Sequence, residues 1–229
     1  ALTLAQKLGA FQSCHKRKKY NYIYKVDEID KIPNKSFFYN LDVINDALER
    51  GLQIKFKYNI FKADGKLHSR SDELYLVNPY YTFINQGKYY LICNRSGYPQ
   101  LSNFKVDLIT DIRLTSNRAT PVTKLNGYEK GFDISDYINK NIYMFGGKAQ
   151  NVTLRLLDDW AVNSVYEWFG NKARVYDKNG ECYADVTSEK RGIIYWALQY
   201  GEQVEVVSPK SVRDKIADLA GKIAERYQR

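Results

Sequence analysis

Residues 78–93, NPYYTFINQGKYYLIC, hold two runs of aromatic and aliphatic residues joined by Asn85-Gln86-Gly87. Runs this rich in Tyr, Phe and Ile around a short glycine-containing loop predict a β-hairpin. Strict alternation would place Tyr80, Thr82 and Ile84 on one face and Tyr81 and Phe83 on the other. In the second strand Tyr89 and Leu91 would oppose Tyr90 and Ile92. One face must be core. Tyrosines on the open face offer a flat apolar ring with a polar tip, which suits a half-exposed binding surface.

Outward from the hairpin the pattern continues. In LQIKFKY, Ile54, Phe56 and Tyr58 alternate with Lys55 and Lys57, a half-buried strand. Further short strands are predicted at about 73–78, 80–84, 101–106 and 111–115, with Asp64-Gly65 as a turn. A helix is expected to precede them, with Asn40 as N-cap, Asp42 in its first turn, Leu41, Ile44 and Leu48 along one face, and Arg50-Gly51 as its stop. Five or six short strands in close succession predict a small, strongly bent sheet or barrel of the SH3 or Sm type.

The C-terminal part follows another rhythm. Val152, Leu154 and Leu156 mark a strand; Ala161, Val165, Trp168 and Phe169 a helix; and a hairpin turns at Asn179-Gly180. Ile193, Ile194, Ala197 and Leu198 mark a second helix, and Val204–Val207 a last strand. The order βαββαβ is the split-βαβ, ferredoxin-like signature. A basic amphipathic helix follows from Ser208-Pro209, and Trp160, Trp168 and Trp196 are predicted core residues. The expected fold class is therefore α+β: a helical or irregular linker (1–35), a barrel domain (36–118), a polar connection (119–150) with a short helix near Ile134–Asn139, and a ferredoxin-like unit (151–229).

Composition bounds the function. The chain carries a formal charge of +9 and 20 tyrosines, against ten Phe and three Trp. A basic balance favours an anionic partner. No apolar run is long enough to span a membrane, and no secretory signal is visible at the start. Three widely spaced cysteines, Cys14, Cys93 and Cys182, point to a reducing, cytoplasmic setting. Catalytic and metal signatures are missing. The only histidines are His15 and His68, and the sequence has no Cys-x-x-Cys pair, phosphate loop, dinucleotide fingerprint or nucleophile elbow. The adjacent acids Asp72-Glu73 and Asp158-Asp159 read as solvated charge or a helix start. No enzyme, cofactor or metal is expected. The run His15–Lys19 supplies Lys16, Arg17, Lys18 and Lys19 as a candidate nucleic-acid contact.

The Asn-Pro-Tyr-Tyr step, the Gly-Lys-Tyr-Tyr-Leu-Ile strand and Asn103–Ile109 together resemble the WYL domain, named for a Trp-Tyr-Leu tripeptide. Tyr89-Tyr90-Leu91 stands in that place, with Tyr for Trp. Phe38–Asp42 looks like the segment that opens the WYL helix, and Gly201–Pro209 resembles the end of the extension that often follows. The resemblance covers about residues 36–227. It implies a bacterial transcriptional regulator, usually a homodimer, with an N-terminal winged-helix head that grips DNA and a barrel that senses a nucleotide or single-stranded nucleic acid. That head is not in this sequence, either because a chain opening on Ala1 is part of a longer one or because this protein lacks one. The alternative is a stand-alone accessory protein that binds single-stranded nucleic acid directly. The candidate ligand-binding residues are Tyr58, Asn78, Tyr80, Tyr90, Ser102 and Lys105. The family usually carries arginine at the positions of Lys105 and Leu108, and often at that of Ser102. Lysine is a point charge where arginine is a bidentate fork, so anion recognition here is expected to be weaker or altered.

Overall fold

The computed structural model describes residue 34 and residues 36–228. The helical or irregular linker (1–35), with its basic run Lys16–Lys19, lies outside the described residues apart from Asn34. Among the described residues no helix is long and apolar enough to cross a membrane.

The barrel domain opens with helix α1 (Phe37–Arg50) and continues through β1 (Leu52–Phe61), β2 (Leu67–Ser69), β3 (Tyr75–Asn85), β4 (Lys88–Arg95), β5 (Leu101–Lys105) and β6 (Ile109–Arg118). One 3-10 turn, Val106–Leu108, joins β5 to β6. All pairings are antiparallel. The long strand β1 takes β6 along one edge and β3 then β2 along the other, while β3, β4 and β5 form a meander. This is the small SH3/Sm-like sheet that the strand spacing predicts. Phe56, Leu91, Phe104, Val106 and Ile109 fill its interior, and Ile44 and Ala47 of α1 cover it.

Helix α1 begins four residues earlier than predicted, with Ser36 rather than Asn40 at its N-cap. Asn40 is not its cap but a fully buried residue of its first turn, whose Nδ2 donates to Ile109 O at 2.8 Å and Val106 O at 3.4 Å. Asn34 donates to the same turn, to Asp107 O and Ile109 O. Two asparagines thus tie the helix start to the turn after β5, a tertiary role that a capping pattern does not reveal. Gly51 ends the helix in the left-handed region (φ 62°), as a C′ glycine does.

The segments predicted as strands 73–78 and 80–84 are one strand, β3, with a bulge. Its register against β4 shifts between Pro79↔Cys93 and Tyr81↔Ile92. One extra residue, Tyr80, is inserted there, and a one-residue insertion moves the following side chains to the opposite face.

The connection is more than a spacer. Helix α2 (Ile134–Lys140) starts at Asp133, whose side chain accepts from Asp136 N at 3.0 Å. Leu125 and Tyr137 pack with Ile92 and Leu101, flanked by Tyr80, Phe83, Val122, Tyr128 and Phe132. Strand β4 is therefore covered on both faces: Leu91 and Cys93 belong to the barrel interior, and Ile92 to this outer layer. That double burial accounts for the unbroken apolar run in the sequence.

The C-terminal unit runs β7 (Ala149–Leu156), α3 (Asp159–Phe169), β8 (Arg174–Lys178), β9 (Glu181–Glu189), α4 (Lys190–Gln199), β10 (Val204–Ser208) and α5 (Lys210–Tyr227). Its sheet order is β10-β7-β9-β8, fully antiparallel, the ferredoxin-like arrangement. Val152, Leu154, Val165, Phe169, Ile193 and Trp196 are central to its core. Trp160 departs from the reading as a core residue, being 71% exposed. Ala161 and Val165 are the buried pair one helical turn apart, and Trp160, one position earlier, turns away from them.

Candidate ligand site at the open edge of the barrel

Strand β5 is where the barrel sheet ends. It pairs with β4 on one side only, and its successor β6 pairs with β1. Tyr58 of β1 reaches across the gap, its hydroxyl accepting a hydrogen bond from the Lys105 backbone N–H at 3.2 Å. Around this edge opens a cleft of about 810 Å³, within the size range of small-molecule sites.

Four pieces of chain build its walls. The barrel mouth presents Tyr58, Tyr75 and Phe104, packed edge to face with centroid separations of 4.8 Å (Tyr58–Phe104) and 5.3 Å (Tyr75–Phe104). The hairpin end contributes Asn85, Gln86, Lys88 and Tyr90, with Lys105 directly opposite Tyr90 in register. The β4–β5 turn adds Arg95, Tyr98 and Gln100. Residues Ile142–Gly146 and Arg191, at the start of α4, form the far wall. Gly146 allows this close approach, since a Cβ there would lie 2.8 Å from Leu101 O.

The charge is one-sided. Arg70, Lys88, Arg95, Lys105 and Arg191 line the cleft, and among the described residues no carboxylate does. Among the described residues none of these five makes an ion pair. The Arg95 guanidinium lies between two rings, 4.7 Å from the Tyr75 centroid and 4.3 Å from that of Tyr98. Arg191 lies 4.3 Å over Phe145. Stacking fixes the guanidinium plane and leaves its in-plane N–H groups free for a bidentate acceptor. Burial, and then Lys88, hold the Lys105 ammonium below the usual lysine range, with Asp107 partly opposing. Burial likewise raises the Tyr58 and Tyr90 hydroxyls, keeping both neutral donors at physiological pH. Unpaired cations, flat rings and the free amides of Asn85, Gln86 and Gln100 can together grip an anionic group, stack on a planar one and read its polar edge.

Of the predicted site residues, Tyr58, Tyr90, Ser102 and Lys105 line this cleft. Asn78 and Tyr80 do not. Asn78 is 2% exposed, and its amide is fully engaged: Oδ1 accepts from Gln53 Nε2 and Thr120 N, each at 2.9 Å, and Nδ2 donates to Asn94 Oδ1 at 3.1 Å. The bulge at Tyr80 sends its ring into the outer layer under the connection, where its hydroxyl donates to Thr120 O at 2.9 Å. Burial, and then Cys93, push that hydroxyl up to about 12.

Arg70, Arg95 and Arg191 were not among the predicted residues. Arg95 had a signal. It follows Tyr89, Leu91 and Cys93 at a spacing of two, so it is a cation on the core-facing register of a strand. Arg70 and Arg191 carry no local mark and are brought in by tertiary structure. Ser102, Lys105 and Leu108 all line the cleft, so the guanidinium groups come from β4, from the bend after β2 and from α4 instead.

Residues 39–114 match the WYL domain and residues 148–224 the WCX domain. The chain thus carries a WYL domain followed by a WCX domain. No curated protein matches it. Among solved structures, a CRISPR Cas-related protein is similar at 12% identity and a TM-score of 0.53, over 84% of this chain and 53% of that one. Proteasome accessory factor B/C (PafBC) of Arthrobacter aurescens matches at 14% identity and a TM-score of 0.37, over 82% of this chain and 27% of its own. The chain therefore spans about a quarter to a half of the length of these relatives.

Proposed function

We propose that this chain is the effector-sensing part of a bacterial transcriptional regulator, and that its effector is a nucleotide or a single-stranded nucleic acid bound in the cleft along β5. The observation that carries this reading is five cations set among aromatic rings, with no ion pair and no carboxylate between them among the described residues. Unpaired like charges held together cost stability, and a protein that keeps them gains when an anion binds. The WYL and WCX matches support the regulatory setting. In that setting the protein works in the cytoplasm as a homodimer, reads DNA through a separate N-terminal head, and acts by binding rather than by catalysis.

A second face of the molecule supports the choice of the cleft by contrast. On the WCX sheet Tyr176 and Tyr183 stack at 5.9 Å and Arg174 lies over Tyr176. There Arg155 is paired with both Glu181 and Glu205, and Glu181 also accepts from the Tyr183 hydroxyl, so carboxylates already stand among the rings.

The test is binding of a fluorescein-labelled oligo(dT), read by anisotropy across a salt series. For single strands the slope of log K against log salt is about −0.7 per phosphate contact, so five contacts predict about −3.5. Affinity should then fall about a hundredfold between roughly 50 and 200 mM salt. Absence of binding at low salt to both the oligonucleotide and the mononucleotide dTMP overturns the proposal.

A further inference from the structure

One residue of the far wall belongs to the other domain. Arg191 lies in the first turn of α4 in the WCX unit, yet it lines the same cleft as Lys105 and Tyr90 of the barrel. The carboxylate closest in sequence does not pair with it. Glu189 is 6% exposed and uses both oxygens on the helix start, Oε1 accepting from Arg191 N at 2.8 Å and Oε2 from Gly192 N at 2.9 Å. The guanidinium instead rests on aromatic rings, 4.3 Å from the Phe145 centroid and 5.6 Å from that of Tyr195. The chain that carries Phe145 is wedged between the domains. A Cβ at Gly146 would meet Leu101 O of β5, and one at Gly147 would meet the Glu189 side chain, both at 2.8 Å. Arg191 is therefore a positioned cation with a free donor edge, held against the barrel by a tight backbone seam.

We propose that Arg191 is a ligand contact supplied by the WCX domain, so that an occupied cleft ties α4 to the barrel and transmits the ligand's presence from one domain to the other. This inference rests on the anionic-ligand reading of the cleft. A ligand held only by the barrel would leave the WCX domain indifferent to occupancy. One whose anionic groups reach both Lys105 and Arg191 stabilises one arrangement of the two domains, and that differential contact is what a switch requires.

The experiment compares oligo(dT) binding to wild type, Arg191→Ala and Arg191→Lys in the full chain, with amide hydrogen exchange alongside. Arg191→Ala is expected to weaken binding about tenfold and to flatten the salt slope by about 0.7. Arg191→Lys should restore the slope but not the full affinity, since lysine returns the charge without the fork. Oligo(dT) should slow exchange at residues 189–193 in wild type and leave it unchanged in Arg191→Ala. Unaltered affinity and slope in Arg191→Ala, beside normal wild-type binding, overturn the inter-domain contact alone. A weaker affinity with an unchanged slope overturns it too, because that marks Arg191 as a packing residue. Failure of wild type itself to bind removes the reading of the cleft on which the inference stands.

Discussion

Two polar clusters on the same strands of the barrel make opposite use of their groups. In the first, Gln53, Asn78, Asn94 and the Thr120 N–H form a closed network, and Asn94 also donates to Tyr98 O and Gln100 O. In the second, Arg95, Lys88 and Lys105 stand within the same hairpin and its neighbour and have no partner of opposite charge among the described residues. A satisfied buried polar group holds the fold together. A cation left unpaired, yet fixed in place by rings, is organised for a group the chain does not itself contain. The comparison separates Asn78 from Lys105, which looked equally functional as letters in a sequence.

Substitutions should break the two clusters in different ways. Asn78→Ala leaves three hydrogen-bonding partners unmet inside the barrel, and urea unfolding should show a loss of about 3 kcal/mol. Arg95→Ala should act on the other side of the comparison. Ligand affinity should fall about tenfold or more by anisotropy, while stability drops by only about 1 kcal/mol through the lost ring contacts. Tyr80→Phe removes the single bond to Thr120 O, a loss of about 1 kcal/mol by denaturation, with no change in ligand affinity. Lys105→Ala should weaken binding and leave the melting temperature level or slightly raised, because it also removes the repulsion between Lys88 and Lys105.

A pH measurement sharpens the same contrast. The folded, empty protein holds the Lys105 proton less tightly than the unfolded chain, chiefly through burial. As pH rises through the window between this lowered value and the ordinary lysine value, the unfolded state carries more protons and the group's penalty on folding is relieved. Stability from this group therefore rises with pH there. An anion in the cleft restores the charged form, so binding takes up a proton in the same window and affinity falls with pH. Calorimetry in two buffers of different ionisation heat should show that uptake in wild type and lose it in Lys105→Ala.

Much of the fold was legible because it follows simple periods. Alternation in residues 52–58, the hairpin loop at Asn85–Gly87 and the βαββαβ order all read correctly from residue type and spacing. The bulge at Tyr80 did not. Pro79 sits beside it, but nothing local says whether a strand ends there or absorbs an extra residue, and that choice decided which way Tyr80 pointed. The candidate site was half legible for a related reason. Tyr58, Tyr90, Ser102 and Lys105 lie on strands whose faces can be counted, whereas Arg70 and Arg191 enter from segments that only tertiary packing brings near. Asn78 lies outside the cleft with its partners already present, which polarity in a sequence does not show.

The central claim is that the unpaired cations of the cleft, and not another basic or aromatic surface, receive the ligand. Hydrogen exchange of the wild-type chain with and without saturating oligo(dT) tests it most directly. The account predicts slower exchange in residues 85–90, 95–105 and 142–146, with residues 174–185 of the WCX sheet unchanged. Protection centred on 174–185, with the β5 edge unaffected, would contradict it.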